Sequence, residues 1–194
     1  MTKVIGLTGG IGSGKTMVAK YIQSLGYPVY IADDEARKIT EDKKVVQKIA
    51  EIFGNDIIEN ASVSREKLSK IVFNNSDKLQ KLNAIIHPLV KEHFDSWLKK
   101  HKDFPLVFKE AAILFESGSY QYCDFVITVT APLETRISRV VERDKVSKDS
   151  VLKRIQNQWT DEQRIAKSDF VIDNISVKET YKQIDQILKI LKNQ

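Results

Sequence analysis

Residues Gly9–Thr16 read G-G-I-G-S-G-K-T and follow directly on the apolar run Val4-Ile5-Gly6-Leu7. This G-x-x-x-x-G-K-[ST] spacing limits the possible folds more than any other segment, because it has meaning only between a buried strand and a helix. Such a loop turns backbone N–H groups inward around phosphate oxygens. Glycines are required where a side chain would block the approach or where φ must be positive. Lys15 is then placed to meet the β- and γ-phosphates as a point charge, and the Thr16 hydroxyl to ligate Mg²⁺. The helix that starts here adds the positive end of its macrodipole. A dinucleotide fingerprint does not fit: counted from Gly10 and Gly12, its third glycine falls on Lys15.

Further apolar runs lie at Pro28–Ala32, at Leu106–Phe108 continuing into Ala111–Phe115, at Phe125–Thr130 and at Phe170–Ile172. They lack polar alternation, as strands covered on both faces do. Helical patterns alternate with them. Thr16–Leu25 is closed by Gly26, Pro132–Arg143 opens with a proline that its first turn tolerates, and Ser176-Val-Lys-Glu179 is a capping box ahead of Tyr181, Ile184, Ile187, Leu188 and Leu191. This order predicts an α/β fold: a doubly wound parallel sheet of about five strands. Two stretches depart from the alternation. Residues 40–100 are almost wholly helical in pattern, with turn signals at Gly54-Asn55, Ser62–Ser64 and Asn74–Asp77, and are expected to form an inserted helical subdomain. Residues 144–168 form a charged helical excursion expected to act as a lid.

Bulk properties narrow the function classes. A chain of 194 residues at 42% apolar is long enough for one α/β domain with a full core. Its +5 charge favours anionic partners, but the basic residues are spread along the chain, so no nucleic-acid partner is expected. Cys123 is the only cysteine, which excludes an intrachain disulfide, and three scattered histidines offer no zinc spacing. No leader is read, and no run approaches the roughly 18–20 apolar residues of a membrane span. A cytoplasmic protein with no membrane partner is expected, a monomer with the oligomeric state left open.

Several side chains have the right placement for chemistry. Asp33 and Asp34 stand at the carboxyl end of the second strand, on the sheet edge where the phosphate loop lies. One could take a proton from an attacking hydroxyl while the other caps the helix Glu35–Ile39; Asp33 is assigned to chemistry and Asp34 to the cap. Glu110 or Glu116, each following an apolar run, could be the acid on the magnesium side. Arg136, Arg139 and Arg143 recur on one helix face, and Arg154 and Gln158 repeat the pairing in the excursion. Guanidinium groups there suit a transferring phosphoryl group, and the same pattern also fits an ordinary solvated basic face. His87-Pro88 ends the amphipathic pattern of Lys78–Ile86, so a helix stop or kink is expected. Trp97 and Trp159 read as packing residues.

Together these segments resemble the dephospho-CoA kinase family, whose enzymes finish coenzyme A synthesis. The resemblance rests on I-G-L-T-G-G-I-G-S-G-K-T at Ile5–Thr16, A-D-D-E-A-R at Ala32–Arg37 and L-N-A-I-I-H-P-L-V at Leu82–Val90. It continues through I-L-F-E-S-G at Ile113–Gly118, R-x-x-x-R at Arg139–Arg143, R-I-Q-N-Q at Arg154–Gln158 and S-D-F-V-I-D-N at Ser168–Asn174. It implies a P-loop kinase that moves the γ-phosphoryl group of ATP to the ribose 3′-hydroxyl of dephospho-CoA with Mg²⁺. The implied organisation is a core of 1–39, 104–143 and 169–194, a helical substrate-binding insert of 40–103 and a lid of 144–168. By the same resemblance Asp33, Lys15 and Arg139 are catalytic. ATP is held by Gly10, Ile11, Gly12, Ser13, Gly14, Lys15, Thr16, Met17, Arg143 and Asn174, the acceptor by Arg37, His87, Phe115 and Glu116, and the metal by Thr16. The chain departs from the family pattern at Met17, where a second hydroxyl residue is usual. It departs again at Glu110-Ala111-Ala112, where many members carry an aspartate and a proline, which leaves the second magnesium-side acid open between Glu110 and Glu116.

Overall fold

The structure, a computed structural model, describes residues 2–72 and 75–194. The strands are β1 (Lys3–Thr8), β2 (Val29–Ile31), the two-residue β3 (Ile58–Glu59) and β4 (Ser62–Val63), β5 (Leu106–Glu110), β6 (Phe125–Thr130) and β7 (Phe170–Asp173). The helices are α1 (Lys15–Ser24), α2 (Ala32–Thr40), α3 (Lys43–Phe53), α4 (Arg65–Val72), α5 (Ser76–Lys100), α6 (Leu133–Asp144), α7 (Lys148–Gln156), α8 (Asp161–Ile165) and α9 (Val177–Lys192). They fall into two units, Met1–Ile31 with His101–Gln194, and Ala32–Lys100.

In the first unit the apolar runs form one parallel sheet in the order β2-β5-β1-β6-β7. β1 is central, with Leu7 opposite Glu110 on one side and Ile127 on the other. Ile5, Leu7, Phe108, Ile127, Val129 and Ile172 are buried against Val18, Ala19 and Ile22 of α1 and Ile184, Ile187, Leu188 and Leu191 of α9. At about 1.5–3 kcal/mol per buried large apolar side chain, this cluster is the main source of the unit's stability. α9 starts where expected, with the Ser176 hydroxyl accepting from Glu179 N–H. α1 ends at Ser24 with Leu25 as its C-cap, and Gly26 follows at φ 87°.

The expected continuation of the third run through Ala111–Phe115 is not a strand. β5 stops at Glu110, and Ala111 makes the last pairing, its N–H donating to Leu7 O, before the chain turns. β1 ends one residue later at Thr8, so no neighbouring strand remains to pair with. Leu114 and Phe115 are buried all the same, which is what their apolar pattern recorded.

The second unit is mainly helical. Val45, Ile49, Ile57, Leu68, Val72 and Leu82 form its core, with Ile39, Ile85, Ile86 and Leu89 packed around them. The Asp42 side chain caps α3 by accepting from Lys44 N–H. Around the expected turn at Ser62–Ser64 the chain makes a small hairpin, β3 with β4, whose turn residues Asn60 and Ala61 both have positive φ. The unit begins at Ala32, ahead of the expected 40, because Ile39 of α2 packs into this core and α2 lies along α5. The turn expected at Asn74–Asp77 lies partly outside the described residues, at Asn74. α5 decides one of the two expectations for His87-Pro88: the helix does not stop there but runs from Ser76 to Lys100 with Pro88 inside it. Proline removes one N–H and crowds one carbonyl, and apolar packing of Leu82, Ile85, Ile86 and Leu89 on both sides of it offsets that loss.

Candidate active site

β1 ends in the middle of the sheet, with β2 and β5 on one side and β6 and β7 on the other. Open α/β sheets bind ligands outside the carboxyl ends of such strands. Here the chain makes the loop of residues 9–14. Gly12 and Gly14 have φ of 78° and 96°, a region that costs other residues about 1–2 kcal/mol. Ser13 N–H closes a turn onto Gly10 O at 3.1 Å, and Lys15 Nζ donates back to Gly9 O at 2.8 Å. No side chain caps α1 at Gly14, so the N–H groups of its first turn keep the anion-binding character of an open helix N-terminus. The buried Ser13 hydroxyl oxygen has no hydrogen-bond partner among the described residues.

Side chains from far along the sequence hold this loop from outside. Arg136 is buried on α6; its Nε donates to Ile11 O at 3.0 Å and its Nη1 to Asp161 at 2.8 Å. A Cβ on Gly10 would fall on the Arg136 guanidinium. Gln158 Oε1 accepts from Ile11 N–H at 2.9 Å. Asn174, just past β7, donates from Nδ2 to Ser13 O at 2.7 Å and accepts from Thr180 Oγ1 at 3.1 Å. Arg139 Nη2 donates to Asn174 O at 3.2 Å, and its Nη1 lies 3.5 Å from both Gly12 O and Ser13 O. Arg136 and Arg139 therefore reach the loop. Arg143, a turn further on, is turned to Asp144 at 2.7 Å. That contact, with Arg154 beside it, holds the Asp144 carboxyl below the usual range.

The segment after β5 supplies a second group of charges. Glu116 Oε1 accepts from Arg164 Nη2 and from Trp159 N–H, both at 3.0 Å. Arg164 is fully buried and donates through Nη1 to Trp159 O, with Asp161 Oδ1 3.4 Å away. Burial pulls the Arg164 guanidinium below its ordinary value, and Glu116 and Asp161 oppose that pull. Phe115 stacks on Trp159 with ring centroids 5.5 Å apart. Arg164 and Asp161 were not singled out in the sequence. Trp159 packs as expected, and its backbone also serves the charged group.

The remaining candidates are placed as follows. Thr16 is the second residue of α1 with an exposed side chain, and Met17 packs against the core. Glu110 is buried at the carboxyl end of β5, opposite Leu7 and Ile31. In the second unit Asp33 and Asp34 are not helix caps: α2 starts at Ala32, so both sit in its first turn. Asp34 pairs with Arg37 at 3.2 Å, an exposed contact, because a carboxylate already inside the helix faces the residue one turn on. His87 is half-buried on α5, and burial lowers its pKa. No cluster of three or more His, Cys, Asp or Glu side chains able to hold a metal occurs among the described residues. No helix there is long and apolar enough to cross a membrane.

A parallel five-stranded sheet with a glycine-rich loop entering α1 and arginines of α6 directed at that loop defines a phosphate-loop kinase. The sequence model of the family described as dephospho-CoA kinase (CoaE) matches residues 3–179. The dephospho-CoA kinase of Fusobacterium nucleatum subsp. nucleatum is 40% identical over 190 residues, covering 97% of this chain and 98% of that protein. Among solved structures, TT1252 from Thermus thermophilus is 32% identical with a TM-score of 0.88, covering 99% of this chain and 97% of that one. The dephospho-CoA kinase from Campylobacter jejuni, 23% identical with a TM-score of 0.64 over 98% and 97% of the two chains, shares the fold. The chain belongs to the dephospho-CoA kinase family. Its activity is the ATP-dependent phosphorylation of the 3′-hydroxyl of dephospho-CoA, the last step of coenzyme A biosynthesis.

Proposed function

We propose that residues Gly10–Met17 hold the β- and γ-phosphates of ATP in the nest formed by the loop and the start of α1, with Lys15 moving from Gly9 O to the phosphate oxygens. The observation that carries this reading is the uncapped N-terminus of α1 behind a loop whose Gly12 and Gly14 are left-handed. Arg139, already beside Gly12 O and Ser13 O, is the α6 guanidinium that meets the transferring group. It stabilises charge there, Asn174 keeps Ser13 in place, and Arg143 exchanges Asp144 for phosphate as the 144–168 lid closes and excludes water.

Mg²⁺ fits the donor set. It keeps most of its waters and takes one or two protein oxygens beside the phosphates. The Thr16 hydroxyl is one such oxygen, and Glu110, at the carboxyl end of β5 opposite Leu7, is the acid at that edge. When bound, the ion neutralises charge on the β- and γ-phosphates. Asp33, two residues past β2, is the base that takes the proton of the 3′-hydroxyl. Arg37, His87, Phe115 and Glu116 belong to the acceptor site. The chain acts as a cytoplasmic monomer on the two small-molecule substrates.

Asp33→Asn tests the assignment of the base. Turnover should fall about 10²–10⁴-fold, with ATP affinity kept within about twofold, a shift of roughly 0.4 kcal/mol. A variant that keeps kcat within about threefold of wild type shows that Asp33 is not the base.

A further inference from the structure

Arg164 is the largest fully buried side chain among the described residues, and it belongs to a chain of four alternating charges. Glu116 pairs with Arg164, Arg164 with Asp161, and Asp161 with Arg136, at 3.0, 3.4 and 2.8 Å. The last guanidinium grips Ile11 O in the phosphate loop at 3.0 Å. A buried ion pair is weak support for stability, since apolar residues of the same volume usually do as well. Here two buried polar atoms, Glu116 Oε2 and Arg164 Nε, even lack a hydrogen-bond partner among the described residues. A group kept at such expense points to a demand on position.

We infer that Arg164 is a positioning residue that couples the Phe115-Glu116 segment to the phosphate loop, so that the state of Glu116 sets the affinity of the loop for ATP. The geometry explains why an arginine is needed. One planar guanidinium meets the Glu116 carboxylate, the Trp159 carbonyl and Asp161 at the same time, which an ammonium cannot do. Asp161 in turn fixes the fork of Arg136, whose Nε is then aimed at Ile11 O while Gln158 holds Ile11 N–H. Asp161 and Trp159 flank Thr160, whose side chain caps α8 in a reciprocal capping box with Gln163, which ties the two residues to one hydrogen-bonded turn. A displacement of Glu116 is thereby passed to the carbonyl of a loop residue about a hundred positions away in sequence. The inference rests on the assignment of the loop to ATP and of Glu116 to the acceptor side.

The test measures equilibrium binding of ATP by calorimetry, without acceptor, for wild type, Glu116→Gln, Arg164→Lys and the double variant. Thermal melts accompany it, and binding is read at a temperature where every variant is folded. Each single variant is expected to weaken ATP binding about three- to tenfold, and the double variant to be no more than about twofold weaker than the worse single. A merely structural role would lower the melting point and leave ATP affinity of the folded protein unchanged. An ATP affinity that Glu116→Gln leaves within about twofold of wild type overturns the coupling, and so do losses that multiply in the double variant. Failure of the underlying assignment looks different: wild type itself would not bind ATP.

Discussion

Gly14 and Gly26 make a matched pair of perturbations. Both have left-handed φ, 96° and 87°, and both close on α1, one at each end. Alanine at either position pays the same backbone strain of about 1–2 kcal/mol. The surroundings differ. A Cβ at Gly26 meets nothing within 4 Å, whereas at Gly14 it lands on the Asn174 amide nitrogen with Arg139 Nη1 3.7 Å away. Asn174 is buried and cannot retreat without breaking its bond to Ser13 O and straining the one from Thr180. Loss of one or two buried hydrogen bonds adds about 1–3 kcal/mol. Gly14→Ala should therefore be about 2 kcal/mol less stable than Gly26→Ala, a melting temperature about 4–8 °C lower for a chain of this size. Releasing Ser13 O should also loosen the nest and weaken ATP binding about tenfold, the equivalent of one hydrogen bond of about 1.4 kcal/mol. Gly26→Ala should bind ATP like wild type. Differential scanning calorimetry and titration calorimetry measure both quantities. Melting points within about 2 °C of each other would refute the steric argument, and unchanged ATP affinity in Gly14→Ala would refute the role given to Asn174.

Two further outcomes follow from buried titratable groups. Burial lowers the His87 pKa below its ordinary 6.5, so the unfolded chain takes up the proton first. The contribution of His87 to stability is thus present above about pH 6.5 and declines as pH falls through that value towards the lower folded pKa. His87→Gln should flatten the acid side of a plot of melting temperature against pH, and an equally steep fall in the variant would assign the acid sensitivity elsewhere. Burial also pushes the Cys123 thiol up to about 11. At pH 8 its thiolate fraction is then roughly a hundredth or less of that of an ordinary thiol. Iodoacetamide should alkylate the folded protein about a hundred times more slowly than free cysteine, and labelling at the rate of the free thiol would contradict this burial.

The phosphate loop, the strand Phe125–Thr130 and the start of α9 were legible because each is specified by near neighbours: glycine spacing, an unbroken apolar run, a serine three residues before a glutamate. The sequence also carried the family resemblance, since its segments are contiguous. Where apolarity was the only signal, conformation was not legible. Ala111–Phe115 is apolar because it is buried, and it turns because the strand beside it has ended. Pro88 reads as a stop or a kink, and the packing of α5 carries the helix past it. Asp34 reads as a cap until the helix is seen to begin two residues before it.

The sequence alone carried the expectation that this loop holds phosphate, because backbone conformation and a few local side chains suffice for a phosphate nest. Only the tertiary structure decided how the loop is held. Three arginines on one face of α6 look alike in sequence, yet two meet the loop and the third meets Asp144. The pairing of Arg164 with Glu116, 48 residues apart, has no local signature, although Glu116 by itself stood out in the sequence. Their pairing exists because Arg164 is fully buried, and a buried charge must be met by an opposite charge and hydrogen-bond acceptors, which Glu116, Asp161 and the Trp159 carbonyl supply.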